Sequence, residues 1–132
     1  MYQIVYASKA SKFSFEEINN ILTDSYVNNK NRGIKGVLLY AQGFFVQCII
    51  GNKVDIQQTF ERIKKDKRHE DIVVIVSGEV EELLFDDWTM SYVNEDAYRT
   101  LVEPIVKNEI FNPYFLEPKV ALEVLKQVSL HL

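Results

Sequence analysis

The stretch from Ile34 to Ile50 constrains the fold more than any other part of the chain. Two apolar runs, Ile34–Ala41 and Phe44–Ile50, are separated only by Gln42-Gly43. That spacing predicts a β-hairpin with a tight turn. Neither run alternates cleanly between apolar and polar residues. A strand that loses this alternation is covered on both faces. The hairpin must therefore sit inside a sheet with one layer packed above it and another below.

The flanking sequence supplies the other elements. Tyr2–Ser8 (YQIVYAS) reads as a strand with Ile4, Tyr6 and Ser8 on one face and Val5 and Ala7 on the other. Ser14 followed by Glu17 forms a capping box, and Phe13 and Ile18 are spaced for a hydrophobic staple across it. Phe15, Ile18, Ile21, Leu22 and Tyr26 then recur at helical spacing. Asn28, Asn29, Asn31 and Gly33 close that helix. A second helix is expected over Lys53–Lys65, capped by Asn52, with Ile56, Phe60 and Ile63 inward. Basic residues at its end suit the helix dipole. Ile72–Val76 is a fourth strand, Glu79–Asp87 an acidic connection, and Trp88–Val93 a fifth strand.

The order β-α-β-β-α-β-β predicts an α+β fold of ferredoxin-like type. The expectation is an antiparallel sheet with strands one and three adjacent at its centre and both helices on one face. Val5, Ala7, Phe44, Val46, Cys48 and Ile50 line the other face, which is too apolar for water. The segment 94–132 is expected to cover it as a helical extension to a core of residues 1–93. Asn94 can cap a helix carrying Tyr98, Leu101, Val102 and Ile105, which Pro104 should kink or shorten. An aromatic loop follows (Phe111, Tyr114, Phe115, Leu116). Pro118 then opens a last helix with Val120, Val124, Leu125 and Val128.

Composition narrows the function. The 132 residues carry 15 basic and 19 acidic side chains, a net charge of −4. That is not the basic surplus of a nucleic-acid binder. No apolar stretch approaches the roughly 20 residues of a membrane helix, and residues 1–20 lack a signal-peptide pattern. The single cysteine, Cys48, excludes an internal disulfide framework. The expectation is a cytoplasmic protein. Phosphate loops, dinucleotide fingerprints and histidine-based metal motifs are all missing.

What remains is polar residues in unusual places. Tyr6 and Gln47 fall on the helix-covered face of adjacent strands, where a phenol and a carboxamide can stand side by side; each needs a partner once buried. The plain alternative is that they satisfy each other or a backbone group. Asn28-Asn29 can hydrogen-bond an edge of alternating donors and acceptors, or simply close a helix. Arg62, Asp66 and Arg68-His69 read as solvated surface. Trp88 and Met90 read as core.

Together these residues resemble the BLUF family of blue-light sensors that use flavin. The matching pieces are IVYAS around Tyr6, NNKNRGIKGVLLY from Asn28, GFFVQCIIG around Gln47, ERIKKDKRH from Glu61, and Trp88-Thr89-Met90, in family order and near-family spacing over residues 1–93. The resemblance implies a non-covalent flavin, FAD or else FMN, between the two helices. It implies that Tyr6 and Gln47 are the photoactive pair, that Asn28 and Asn29 anchor the ring's polar edge, and that Arg62 and Asp66 help to hold its carbonyl side. Trp88 and Met90 correspond to the residues that carry the signal outward. Ile50 stands where the family often has an acid, Lys35 where it has a small polar residue, and Ser91 where it often has glycine. About 39 residues follow residue 93, too few for a catalytic effector domain. The expectation is therefore a sensor and not an enzyme, which signals through a homo-oligomer or a downstream protein. The aromatic loop 111–116 is expected either to form a contact surface or to pack on the sheet. A small acylphosphatase-like hydrolase would need an arginine in a phosphate cradle, where Lys9 and Lys12 supply only lysines. A flavin-free oligomeric binding module is the third reading.

Overall fold

The computed structural model describes residues 1–11, 14–82 and 88–131, with the backbone alone for 88–90. The chain runs β1 (Tyr2–Ala10), α1 (Phe15–Asn31), β2 (Lys35–Ala41), β3 (Phe44–Gly51), α2 (Lys53–Lys65), β4 (His69–Glu79) and β5 (Trp88–Val93). Beyond these come α3 (Glu95–Ala97), a π-helical stretch (Tyr98–Val102), α4 (Glu103–Val106), a 3-10 turn (Pro113–Phe115) and α5 (Pro118–His131).

The sheet order is β4-β1-β3-β2-β5. β1, β2, β3 and β4 pair antiparallel, with β1 and β3 adjacent, as expected. The fifth strand departs from the expectation: it joins parallel to β2, so the sheet is mixed. β4 ends with Glu79 beside Tyr2, and β5 begins with Trp88 beside Gly36. Both points lie at the same end of the sheet, so β5 must run in the direction of β2. β4 is also longer than the apolar run Ile72–Val76, because charged and glycine residues at its ends still complete the ladder with β1. Residues 83–87 of the expected acidic connection lie outside the described residues.

Local chemistry explains the element boundaries. Ser14 Oγ accepts from the Glu17 N–H at 3.2 Å, and Asn52 Oδ1 from Val54 N–H at 2.9 Å. Such caps satisfy orphan donors of a first turn. Phe13, the other half of the expected staple, lies outside the described residues. In the hairpin turn Gln42 and Gly43 both take positive φ, 50° and 89°, as a two-residue turn matched to strand twist requires. Gly36 has φ 145°, and a Cβ there would meet the Cys48 carbonyl oxygen at 1.9 Å. Only glycine lets β2 approach β3 so closely. Pro104 has no N–H to return to the preceding turn. The helix begun under the Asn94 cap widens into the π-helical stretch just before it, and it ends at Lys107 with φ 58°.

Two cores flank the sheet. Ile4, Leu38, Phe45 and Ile49 pack against Ile18 and Leu22 of α1 and Ile56 of α2. On the opposite face Val5, Ala7, Val46, Cys48 and Ile50 form one cluster with Tyr98, Val102, Phe111, Val124, Leu125 and Val128. Each large side chain buried in this way contributes about 1.5–3 kcal/mol. The loop before α5 is also tied to the sheet by polar contacts. Gln42 Nε2 donates to the Glu109 carbonyl at 3.1 Å, its Oε1 accepts from the Phe111 N–H at 2.7 Å, and Tyr114 Oη donates to the Asp71 carbonyl at 2.7 Å. Among the described residues no helix is long and apolar enough to cross a membrane.

Candidate functional site

The site begins with the pairing of β1 and β3, which sets Tyr6 directly opposite Gln47. Both side chains project toward α1 and α2, where they are 4% and 1% exposed. Tyr6 Oη donates to Gln47 Oε1. Burial, and secondarily the negative charge of Asp66, pushes the Tyr6 hydroxyl far above the ordinary phenol range. It therefore stays protonated and serves as a donor. Packing holds its ring: Phe60 lies at 5.7 Å and His69 at 6.2 Å between ring centroids. His69 is itself fixed at both nitrogens. Nε2 lies 2.8 Å from the Ile63 carbonyl and Nδ1 2.8 Å from Ser8 Oγ. A carbonyl can only accept, so Nε2 carries a proton.

Beside Gln47 a cleft of about 430 Å³, counting its open mouth, runs between the two helices. Asp24, Ser25, Asn28 and Asn29 of α1 form one wall; Thr59, Arg62 and Ile63 of α2 form the other, with Asp66 and Arg68 beyond. Asn29 is buried and Asn28 exposed. Thr59 is buried too, and its hydroxyl makes no hydrogen bond. Arg62 has no acidic partner among the described residues. Burial and then the like charge of Arg32 lower its proton affinity.

One end of the cleft is charged, with one guanidinium shared between two carboxylates. The Asp66 carboxylate accepts from Arg68 Nη2 at 2.7 Å and from Arg68 Nε at 3.0 Å, while Arg68 Nη1 reaches Asp24 Oδ2 at 2.6 Å. Burial alone would raise the Asp66 carboxyl, but the Arg68 hydrogen bonds outweigh it and hold the group below the usual carboxylate range. Arg68 therefore straps α1 to the end of α2.

Asn28, Asn29, Gln47, Arg62 and Asp66, singled out in the sequence, thus line one cleft, and Tyr6 touches it through Gln47. Asp66 differs from the expectation in one respect, since much of its acceptor capacity is taken by Arg68. Trp88 and Met90 pair through their backbone with Gly36 and Leu38, but their side chains lie outside the described residues. Sequence reasoning passed over Thr59 and read Arg68 and His69 as solvated surface. The only hint was that Asp66-Lys67-Arg68-His69 mixes charges where a helix meets a strand.

Comparison with known proteins gives one consistent answer. A family model described as BLUF, sensors of blue-light using FAD, matches residues 1–91. The photoactivated adenylate cyclase subunit beta of Euglena gracilis is 31% identical over 85 residues, covering 64% of this chain and 10% of that protein. The subunit alpha of the same organism is 28% identical over 105 residues, covering 80% of this chain and again 10% of the relative. The chain thus spans about a tenth of the length of these curated relatives. Among solved structures, BlsA in its photo-activated state matches with a TM-score of 0.82 at 29% identity, covering 99% of this chain and 96% of that one. The dark-state structure of the BLUF protein BlrB matches with a TM-score of 0.81 at 26% identity, covering 99% and 96%.

Proposed function

The chain belongs to the BLUF family of blue-light flavin sensors, and from that premise we propose that FAD sits in the cleft between α1 and α2 with Tyr6 and Gln47 as the photoactive pair. The observation that carries this reading is the buried hydrogen bond from Tyr6 to Gln47 on the floor of a polar cleft. The residues suit a flavin. Asn28, Asn29 and Gln47 offer carboxamides for a ring edge that alternates donors and acceptors, and the unpaired cation of Arg62 suits a phosphate.

When bound, the flavin supplies blue absorption and an acceptor for one electron. Tyr6 is the donor beside it, a neutral phenol at rest. A phenol that loses an electron becomes strongly acidic, and its proton would leave along its hydrogen bond to Gln47 Oε1; the electron and a proton would then return, so that Tyr6 is again a neutral phenol and only the arrangement of the carboxamide has changed. A carboxamide changed at its accepting end presents a different donor and acceptor pattern to the cleft. Gln47 then settles by rotation or tautomerisation. No substrate is consumed, and the output is a shift between conformations. Residues 1–93 form the flavin-binding core. The signal leaves through β5, where Trp88 and Met90 lie, to the segment 94–132, which passes it to a second copy or to a downstream protein. The cyclase activity named for the Euglena relatives is said of those proteins, of which the chain spans about a tenth.

Absorption spectra before and after blue illumination test the reading. The expected result is a flavin spectrum that shifts reversibly to the red, with FAD identified by mass after release. Tyr6→Phe should bind flavin and lose the shift. Protein that stays colourless after incubation with FAD, and equally with FMN, overturns the proposal.

A further inference from the structure

One polar group in the cleft has no role in the account above. Thr59 lies in the middle of α2, is 3% exposed, and makes no hydrogen bond through Oγ1. A threonine inside a helix can turn its hydroxyl back to the carbonyl four residues earlier, which here is that of Asp55. Thr59 does not. Buried polar groups are otherwise almost always paired. The other unpartnered buried hydroxyl among the described residues, Ser91, lies in β5 on the face that also carries Val93, and it does not line this cleft. Thr59 shares its cleft with Asn29, Gln47 and Arg62.

We propose that Thr59 is a further positioning residue for the cofactor, and that its hydroxyl hydrogen-bonds the flavin ring and not the phosphate chain. This rests on the reading that the cleft takes a flavin. Depth decides between the two ends of the ligand. Arg62, one turn further along α2, is exposed and carries the cation a phosphate needs. Thr59 is enclosed with Asn29 and Gln47, where only a flat, largely apolar group with polar edges would leave water behind. Either a ring carbonyl or a ring N–H satisfies a hydroxyl, which both donates and accepts.

Thr59→Val removes the hydroxyl at constant shape, and Thr59→Ser keeps it. Each variant is titrated with riboflavin and with FAD, following the quenching of flavin fluorescence, and the melting temperature of the flavin-free chain is recorded. Thr59→Val should weaken both flavins by the same factor, about 2- to 13-fold, as expected for one lost hydrogen bond. Its flavin-free chain should melt no lower than wild type, because the hydroxyl has no internal partner to lose. Thr59→Ser should bind within about twofold of wild type. Unchanged affinity of Thr59→Val for both flavins overturns the proposal, as does a loss confined to FAD or a lower melting temperature of the flavin-free chain. A wild-type chain that takes up neither flavin overturns the cleft assignment itself, an outcome separate from all of these.

Discussion

Removing either partner of the Tyr6–Gln47 hydrogen bond leaves the other stranded in a dry place. The two side chains are 4% and 1% exposed, so water replaces the missing partner poorly. Tyr6→Phe keeps the ring and its contacts with Phe60 and His69 but orphans Gln47 Oε1. Gln47→Leu fills the volume but orphans the phenol. An unsatisfied buried group costs about 1–3 kcal/mol, whereas replacing both partners with apolar groups of similar shape is close to neutral. Each single variant should thus lose about 2 kcal/mol. The double variant Tyr6→Phe/Gln47→Leu should lose no more than either single one, a coupling of about 2 kcal/mol. At this chain length 1 kcal/mol moves the melting temperature by about 4 °C. Urea unfolding of the four flavin-free chains, read by circular dichroism, measures the cycle. Additive losses from the two single variants would refute the reasoning, because they would mean that the side chains do not depend on each other. The same variants, loaded with flavin, should all lack the light-induced shift.

Three further outcomes follow from groups outside that pair. Burial pushes the Cys48 thiol up to about 12, so it should resist a disulfide reagent at pH 8 in the native chain and react at once in urea. The folded-state value of Asp66 is depressed. Its contribution is complete above the unfolded value of about 3.9 and is lost as the pH falls through the folded one; Asp66→Asn should therefore lower the urea midpoint at neutral pH while flattening its decline below about pH 4. Gln42→Ala removes both bonds to the loop before α5 and should cost about 1–2 kcal/mol, with faster amide exchange at Phe111 as the local signature.

Much of the fold was legible because its signals are local. The Ser14, Asn52 and Asn94 caps, the Gln42-Gly43 turn and the bounds of α2 each depend on residues within a few positions of one another. The face assignments of β1 and β3 followed from the two-residue period of a strand, and adjacency of those strands then brought Tyr6 to Gln47. The elements read differently are those decided through space. The direction of β5 depends on which end of the sheet β4 finishes at, and the length of β4 on a ladder with β1. Arg68 and His69 looked like surface charges because their partners Asp24 and Ser8 are 44 and 61 positions away. Thr59 carries no signal in the sequence. A threonine in an amphipathic helix is unremarked until its hydroxyl is found with nothing to bind.

The edge position of β5 has its own consequence. Among the described residues this strand is bonded to β2 and to no other neighbour. Tyr92 stacks on Tyr40 on the helix side, while Val93 belongs to the core beneath the C-terminal helices. A strand threaded between two compartments in this way cannot be displaced for one without disturbing the other. A slip of one residue would exchange every side chain between them. Detaching it breaks a single ladder, and the Ser91 hydroxyl has no hydrogen bond to forfeit. It is the linchpin of the two layers: whatever moves it moves both.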